Sequence, residues 1–275
     1  MKLFKYILLF TLFYSLVYCQ KEDKNFDKLY SEGNISLNQG KYDEAITIFE
    51  KLLPQNSNKE NTLYSIALCY HYKGDYNQAI NFFTKSISEN NLLFGSYYGR
   101  ASSYRMIAEN DKAEIDYKKL IELNPNFYLA YKNLGSIEFE KGNNELALSY
   151  YEKAIKYASP NKYDFLYLSK AIVEKKMGKY QEANEDLYTV LNLNPKHKMA
   201  YVDLGYNYIE LKDYKNAILN FNKYLEFKKI PQYFVEKAFC EMKLGMNKEA
   251  CEDLTNAKNL GFSEANEYIK RYCNK

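Results

Sequence analysis

Histidine is scarce in this chain, which has only two histidines among 275 residues. His71 and His197 each lack a cysteine or histidine neighbour at the spacing of metal ligands, so we expect no metal site. The eleven glycines form no glycine-rich phosphate loop, and the carboxylates are dispersed along the chain. The sequence therefore predicts no catalytic residues, no cofactor and no enzymatic activity.

Two further absences concern nucleic acid and the membrane. The net charge is only +3, and lysine and glutamate are interleaved, which is typical of a solvated surface and not of a basic patch for nucleic acid. An apolar run from Tyr6 to Tyr18 has thirteen residues, which is too short to span a bilayer comfortably. We expect no nucleic-acid partner.

Residues 1–19 resemble a secretory signal peptide, because two lysines precede the apolar run. Val17 and Cys19 are small enough to be the −3 and −1 positions of an ordinary cleavage site. Alternatively, Cys19 is the lipidated residue of a bacterial lipobox, although Tyr18 stands where lipoprotein signals have Gly, Ala or Ser. A third possibility is that the segment stays uncleaved as a membrane anchor. Residues 20–25 follow as a flexible lead. These alternatives all predict an exported protein that meets a membrane only through its signal peptide or a lipid anchor.

A regular spacing of small residues organises the rest of the chain. One alanine recurs seven times at intervals of 33 to 36 residues: Ala45, Ala79, Ala113, Ala147, Ala183, Ala217 and Ala250. Four positions after each alanine stands a large residue: Phe49, Phe83, Tyr117, Tyr151, Leu187, Phe221 and Leu254. Twelve positions before it stands another small one: Gly33, Ala67, Ala101, Gly135, Ala171, Gly205 and Ala238. Closely crossing helices need small residues at the crossing, so the pattern predicts stacked helix pairs with a continuous core.

The repeat resembles the tetratricopeptide repeat (TPR), a 34-residue helix-turn-helix unit. The sixth copy carries most of the family's pattern, with Tyr201, Leu204, Gly205, Tyr208, Tyr214, Ala217 and Phe221. The resemblance implies an all-α, right-handed TPR superhelical solenoid of seven helix-turn-helix repeats, at 26–59, 60–93, 94–127, 128–163, 164–197, 198–230 and 231–260. Residues 261–275 add a C-terminal capping helix. The region from Ala250 to Cys273 is similar to terminal repeats of exported proteins from Bacteroidetes-type bacteria, which implies a periplasmic or outer-membrane-associated location.

Three departures from the repeat carry structural expectations. Ala108 and Lys212 occupy a turn position where most copies have glycine, and the turn at Lys212 should be strained or differently shaped. Two extra residues near 159–161 predict a longer loop.

Four of the five cysteines fall into two pairs. Cys251 lies at the start of the second helix of the seventh repeat, and Cys273 lies at the end of the capping helix. The two could therefore form a disulfide in an oxidising compartment. The alternative is that both are small core thiols. Cys69 and Cys240 share a repeat position five repeats apart, which places them too far apart to bond.

TPR proteins bind proteins or peptides along a concave groove lined by the first helix of each repeat. The resemblance therefore implies a non-catalytic, exported protein-protein interaction scaffold whose groove binds a peptide or protein segment. Tyrosine suits such a surface because it offers a large ring and a hydroxyl at low entropic cost. The predicted partner-binding residues are Tyr30, Tyr64, Leu68, His71, Tyr72, Tyr98, Arg105 and Lys132. Two alternatives remain: the tyrosines only brace neighbouring repeats, or the solenoid is a structural spacer or assembly subunit of an envelope complex.

Overall fold

A computed structural model describes residues 25–55 and 58–273. Within these ranges the chain forms fifteen α-helices and no strand. None of the helices found there combines the length and apolarity that a membrane span needs. The predicted signal peptide, including Cys19, lies outside the described residues.

The first compact unit ends at Asn126 and contains three helix pairs. Its helices are α1 (25–38), α2 (Tyr42–Leu52), α3 (Lys59–Lys73), α4 (Tyr76–Glu89), α5 (Phe94–Met106) and α6 (Asn110–Leu123). A short 3-10 turn, Leu53–Gln55, follows α2. Successive helices pack on each other, and α3 also contacts α5. The first helices of neighbouring repeats therefore lie side by side.

The second compact unit begins at Phe127 and contains four helix pairs and a final helix. Its helices are α7 (Tyr128–Glu140), α8 (Asn144–Tyr157), α9 (Tyr163–Lys176), α10 (Tyr180–Leu193), α11 (Lys198–Glu210), α12 (Tyr214–Phe227), α13 (Pro231–Lys243), α14 (Asn247–Asn259) and α15 (Ala265–Tyr272). The expected longer loop before α9 contains a 3-10 turn, Pro160–Lys162. The alternation of helices with short turns is that of TPR units, so the chain has the all-α TPR solenoid fold.

The recurring small and large residues form the core of each unit. All seven motif alanines and their seven large partners are buried. A Cβ atom on Gly33 would lie 2.6 Å from the Phe49 ring, and one on Gly205 would lie 2.7 Å from the Phe221 ring. These ring-to-backbone contacts leave no room for a side chain, which explains why the pattern requires a small residue there.

The turn inside a pair keeps one geometry even where glycine is replaced. Gly74 has φ 88°, and the next amide, Asp75 N–H, donates to the Tyr70 carbonyl at 2.9 Å. Ala108 and Lys212 adopt the same left-handed conformation, with φ 60° and 58°, and the amides that follow them make the equivalent bond. The two departures therefore carry backbone strain in an unchanged turn, since side chains disfavour this region.

Several interleaved charges are buried between helices, which corrects the interpretation of all of them as solvated. Arg100 on α5 makes a bidentate pair with Asp116 on α6, at 2.7 and 2.8 Å. In the second unit, Lys170 on α9 contacts Glu174 at 2.6 Å and Asp186 on α10 at 2.8 Å. These charges tie the two helices of a pair together.

A second triad repeats this arrangement in the last pair. Lys237 on α13 contacts Asp253 on α14 at 2.8 Å and Glu241 at 3.6 Å. In each triad two carboxylates share one ammonium group, so the positive charge cannot offset both. Burial accordingly raises the pKa of Glu174 and of Glu241 to about 7.

Candidate partner-binding surface

Seven of the eight predicted partner-binding residues lie on first helices of the first unit. We call this set the tyrosine face: Tyr30 on α1; Tyr64, Leu68, His71 and Tyr72 on α3; Tyr98 and Arg105 on α5. The eighth, Lys132, lies on α7 of the second unit, where its ammonium donates to the Asn133 side chain at 3.3 Å.

Tyr30 connects two neighbouring first helices. It is half-buried, and its hydroxyl lies 3.0 Å from the Ser65 hydroxyl on α3. The same hydroxyl donates to the Asn61 carbonyl at 3.4 Å. Its ring meets Phe49 of its own repeat with the centroids 5.5 Å apart. Tyr30 therefore braces α1 against α3 while part of its ring stays exposed.

Tyr64 and Tyr98 also use their rings for packing. The Tyr64 ring lies 5.9 Å from Phe83, and a Cβ atom on Gly95 would come within 3.0 Å of it. Burial raises the pKa of the Tyr64 hydroxyl. The Tyr98 ring meets Tyr117 edge-on at 6.2 Å. These contacts favour the bracing interpretation for the ladder, so removing these rings should cost stability as well as any binding.

His71 is held in one orientation by a serine of the next repeat. Its Nδ1 atom lies 2.9 Å from the Ser103 hydroxyl oxygen, and that hydroxyl donates its only proton to the Gly99 carbonyl at 2.8 Å. His71 Nδ1–H must then be the donor to Ser103. Burial lowers the pKa of His71, so the ring is neutral at pH 7, and Nε2 carries a lone pair that can accept a hydrogen bond.

Three aromatic rings, of which Tyr72 is exposed, lie around this histidine. Tyr72 is 60% exposed and stacks on Tyr42 of the preceding repeat, with the centroids 6.2 Å apart. The His71 ring stands edge-on to Tyr72 at 5.6 Å and to Tyr76 at 5.5 Å. The chain here presents open aromatic surface beside a fixed acceptor.

The remaining residues of the tyrosine face are less open. Leu68 is half-buried in the cluster of Tyr64 and Phe83, and Arg105 donates to the Asn110 side chain at 3.0 Å.

Sequence reasoning missed Met106, which is 57% exposed. A signal was available, because Met106 follows Tyr72 by 34 residues and so occupies the same repeat position.

The described residues of the tyrosine face contain no metal-binding cluster. Across the described parts of the chain, histidine, cysteine and acidic residues form no group of three that could hold a metal ion. Together with Met106, the tyrosine face presents aromatic rings and a hydrogen-bond acceptor, which suit a protein segment.

Protein-family models match most of the repeat region. A model described as tetratricopeptide repeat matches residues 98–162 and 168–233. A model described as anaphase-promoting complex, cyclosome, subunit 3 matches residues 38–118.

Two curated human proteins are similar in sequence. Tetratricopeptide repeat protein 6 is 30% identical over 107 residues, which are 39% of this chain and 20% of that protein. DnaJ homolog subfamily C member 7 is 25% identical over 229 residues, which are 78% of this chain and 42% of that protein. The chain thus spans less than half the length of either relative.

Solved structures share the fold at low identity. A tetratricopeptide repeat protein from Parabacteroides merdae is 19% identical, with a TM-score of 0.62 over 90% of this chain and 99% of that one. The C-terminal part of a TPR repeat-containing protein from Cytophaga hutchinsonii is 19% identical, with a TM-score of 0.74 over 84% and 95%. PilW, described as a type IV pilus biogenesis factor, is 21% identical, with a TM-score of 0.58 over 78% and 99%.

Proposed function

Because the chain belongs to the tetratricopeptide repeat family, we propose that it is a non-catalytic scaffold that binds a segment of a partner protein on its tyrosine face. The observation that carries this proposal is the fixed, neutral His71 beside the exposed ring of Tyr72. Because this acceptor is already fixed next to open aromatic surface, binding a segment there requires little further ordering of the protein's side chains.

In this proposal the residues of the tyrosine face, together with Met106 at the repeat position of Tyr72, take two roles. Tyr72 and Met106 are the exposed anchors, and His71 is the polar contact that accepts from a backbone or side-chain donor of the partner. Tyr30, Tyr64 and Tyr98 are half-buried. They position the helices and contact the partner with the exposed parts of their side chains. Truncating an exposed aromatic anchor typically costs about 2 kcal/mol or more, which is roughly a thirtyfold loss of affinity.

Site-specific photo-crosslinking tests this assignment. A photoreactive phenylalanine analogue replaces Tyr72 in one variant and Leu219, which is 59% exposed on a second helix, in a control variant. We expect one partner to crosslink through position 72 and not through position 219, and His71→Ala to reduce that adduct. Equal crosslinking at both positions would show that the tyrosine face is not the binding surface.

The exported location is part of the proposal and rests on residues 1–19. An alkaline phosphatase fusion to the first residues of the chain should be active only if they direct export. Replacing Cys19 by alanine separates the alternatives, because only a lipoprotein would lose incorporation of labelled fatty acid. A fusion that stays inactive would refute export without touching the binding proposal.

A structural spacer in an envelope complex is the second candidate. The structural neighbour PilW, a pilus biogenesis factor, is an example of a TPR fold in an assembly role. A spacer would tolerate Tyr72→Ala and Met106→Ala without loss of its complex, whereas the binding scaffold would not.

A further inference from the structure

Lysines collect on the three loops that follow the second helices α10, α12 and α14. We call the segments 193–199, 226–231 and 258–262 together the basic edge. Glu226 is its one acidic residue, and that carboxylate already pairs with Lys223 at 3.2 Å. Five lysines against one glutamate give the basic edge a charge of +4, although the whole chain carries only +3. All five are exposed, and none makes an ion pair with a described residue: Lys196, Lys198, Lys228, Lys229 and Lys258.

The three loops of the basic edge form one continuous surface. The Lys198 ammonium of the first loop lies over the Phe227 ring of the second, 5.8 Å from its centroid. A recess of about 600 Å³ then runs from the second loop to Leu260 on the third. The predicted Cys251–Cys273 disulfide is present, with the Cα atoms 5.7 Å apart. Because it holds α15 to α14, it also fixes the third loop, which connects these two helices.

Exposed apolar side chains stand among these lysines. Leu193, Met199, Phe227 and Leu260 are between 39% and 48% exposed, and each loop of the basic edge carries at least one of them. At the surface of a bilayer, an apolar side chain can enter the boundary between headgroups and acyl chains while a neighbouring lysine stays among the phosphates. The basic edge has this alternation of apolar groups and cations.

The recess within the basic edge does not suit an acidic peptide. Besides Lys229, its lining includes Glu226 and three asparagines, so positive charge is not concentrated inside it. None of the other four lysines is among its described lining residues. The cations therefore stand on a row of loop ends, an arrangement that fits an extended anionic surface better than a single acidic chain.

The fold itself does not require lysine in these loops. The loop 122–128 of an earlier repeat contains one glutamate and no lysine. Its Asn124 side chain accepts from the Asn126 amide at 3.1 Å, and in the basic edge the Asn194 side chain accepts from the Lys196 amide at 3.2 Å. Because the two loops share this turn, asparagine serves the structure where the basic edge has lysine.

We propose that the basic edge docks the second unit on the surface of an anionic phospholipid bilayer. The lysines lie among the lipid phosphates, and Met199 and Phe227 enter the boundary between headgroups and acyl chains. This contact is additional to the signal peptide or lipid anchor predicted from residues 1–19. It involves no residue of the tyrosine face and does not rest on the proposed function.

Cosedimentation of the full chain with vesicles tests the role of charge. The vesicles are phosphatidylcholine, alone or with about 30% phosphatidylglycerol. We expect tighter binding to the anionic vesicles and a tenfold or greater loss with K196E/K198E. The control K215E/K248E makes the same charge change at exposed lysines near the opposite ends of α12 and α14 and should bind normally. The apolar run in residues 6–18 is identical in every variant, so the difference between variants reports on the basic edge.

Tryptophan fluorescence tests insertion, because the chain contains no tryptophan. In Phe227→Trp, anionic vesicles should shift the emission to the blue, and brominated acyl chains should quench it. The control Leu219→Trp, at an exposed position on the same helix, should show neither change.

Four results would overturn the proposal: equal binding to neutral and anionic vesicles, equal loss in both double variants, no quenching of Phe227→Trp, or equal quenching of both tryptophan variants. Soluble polyglutamate adds one more outcome. If it binds through Lys196 and Lys198 while vesicles leave Phe227→Trp unquenched, the partner is an acidic protein and not a membrane.

Discussion

Replacing Ala108 or Lys212 by glycine should stabilise the protein. Both residues are exposed and hold φ near 60°, so the change removes no buried contact. Relief of the left-handed conformation contributes about 1–2 kcal/mol, whereas the greater freedom of glycine in the unfolded chain opposes it by about 0.4–1 kcal/mol. The expected net gain is about 0.5–1 kcal/mol for each turn. Each kcal/mol corresponds to roughly 2–4 °C in melting temperature for a chain of this size.

Urea unfolding followed by circular dichroism at 222 nm measures this gain as a shift of the midpoint. Ala158→Gly is the control, because Ala158 directly follows α8 with an ordinary φ of −76° and its replacement should only destabilise. Gly142→Ala tests the reverse change: it forces a side chain into φ 84° with no neighbouring atom within 4 Å of its Cβ. If Ala108→Gly lowered the midpoint as Ala158→Gly does, the strain assigned to these turns would be refuted.

Three further predictions concern the core and the ionisable groups. Reduction of the Cys251–Cys273 bond should lower the free energy of unfolding by roughly 3 kcal/mol for a loop of this length, and mass spectrometry of unreduced peptides should find the two cysteines linked. Because the pKa of Glu174 is raised to about 7, the folded protein keeps a proton that the unfolded chain has already released. Stability should therefore fall as pH rises from the usual glutamate range to about 7, by up to about 3 kcal/mol; Glu174→Gln should make that slope shallower in denaturation curves measured at pH 5 and 8, and Glu241, whose pKa is also raised to about 7, should supply the slope that remains. Gly99→Ala, whose Cβ would lie 2.2 Å from the Phe83 ring, should cost about 1–3 kcal/mol in the same assay through overpacking.

The helix pairs were predictable because their signal is physical and periodic. A helix crossing admits only a small residue, as Gly33 against Phe49 shows, so every copy must repeat it. The turn at Lys212 was harder to predict, because sequence alone leaves open whether a turn changes shape or keeps it under strain. Its hydrogen bonds decide that question: the Asp213 amide still donates to the Tyr208 carbonyl at 2.8 Å.

The buried charges could not be separated from surface charges by composition or sign. One regularity does mark them: Lys170, Glu174 and Asp186 recur 67 residues later as lysine, glutamate and aspartate.

The tyrosines posed the opposite problem. Their 34-residue spacing places Tyr30, Tyr64 and Tyr98 on equivalent positions, but whether each ring faces solvent depends on its neighbours. Gly95 leaves space that the Tyr64 ring fills, which no pattern within one repeat reveals.

The packing of each helix on its neighbours in the chain has a consequence for how the protein forms during synthesis. Within each unit, the main contacts join helices that are consecutive in the chain, so the native contact order is low and folding should be fast. Neighbouring pairs can then assemble on each other without waiting for distant segments. The disulfide keeps to this order, since its cysteines are only 22 residues apart, and its formation requires only the final pair and α15 to be in place.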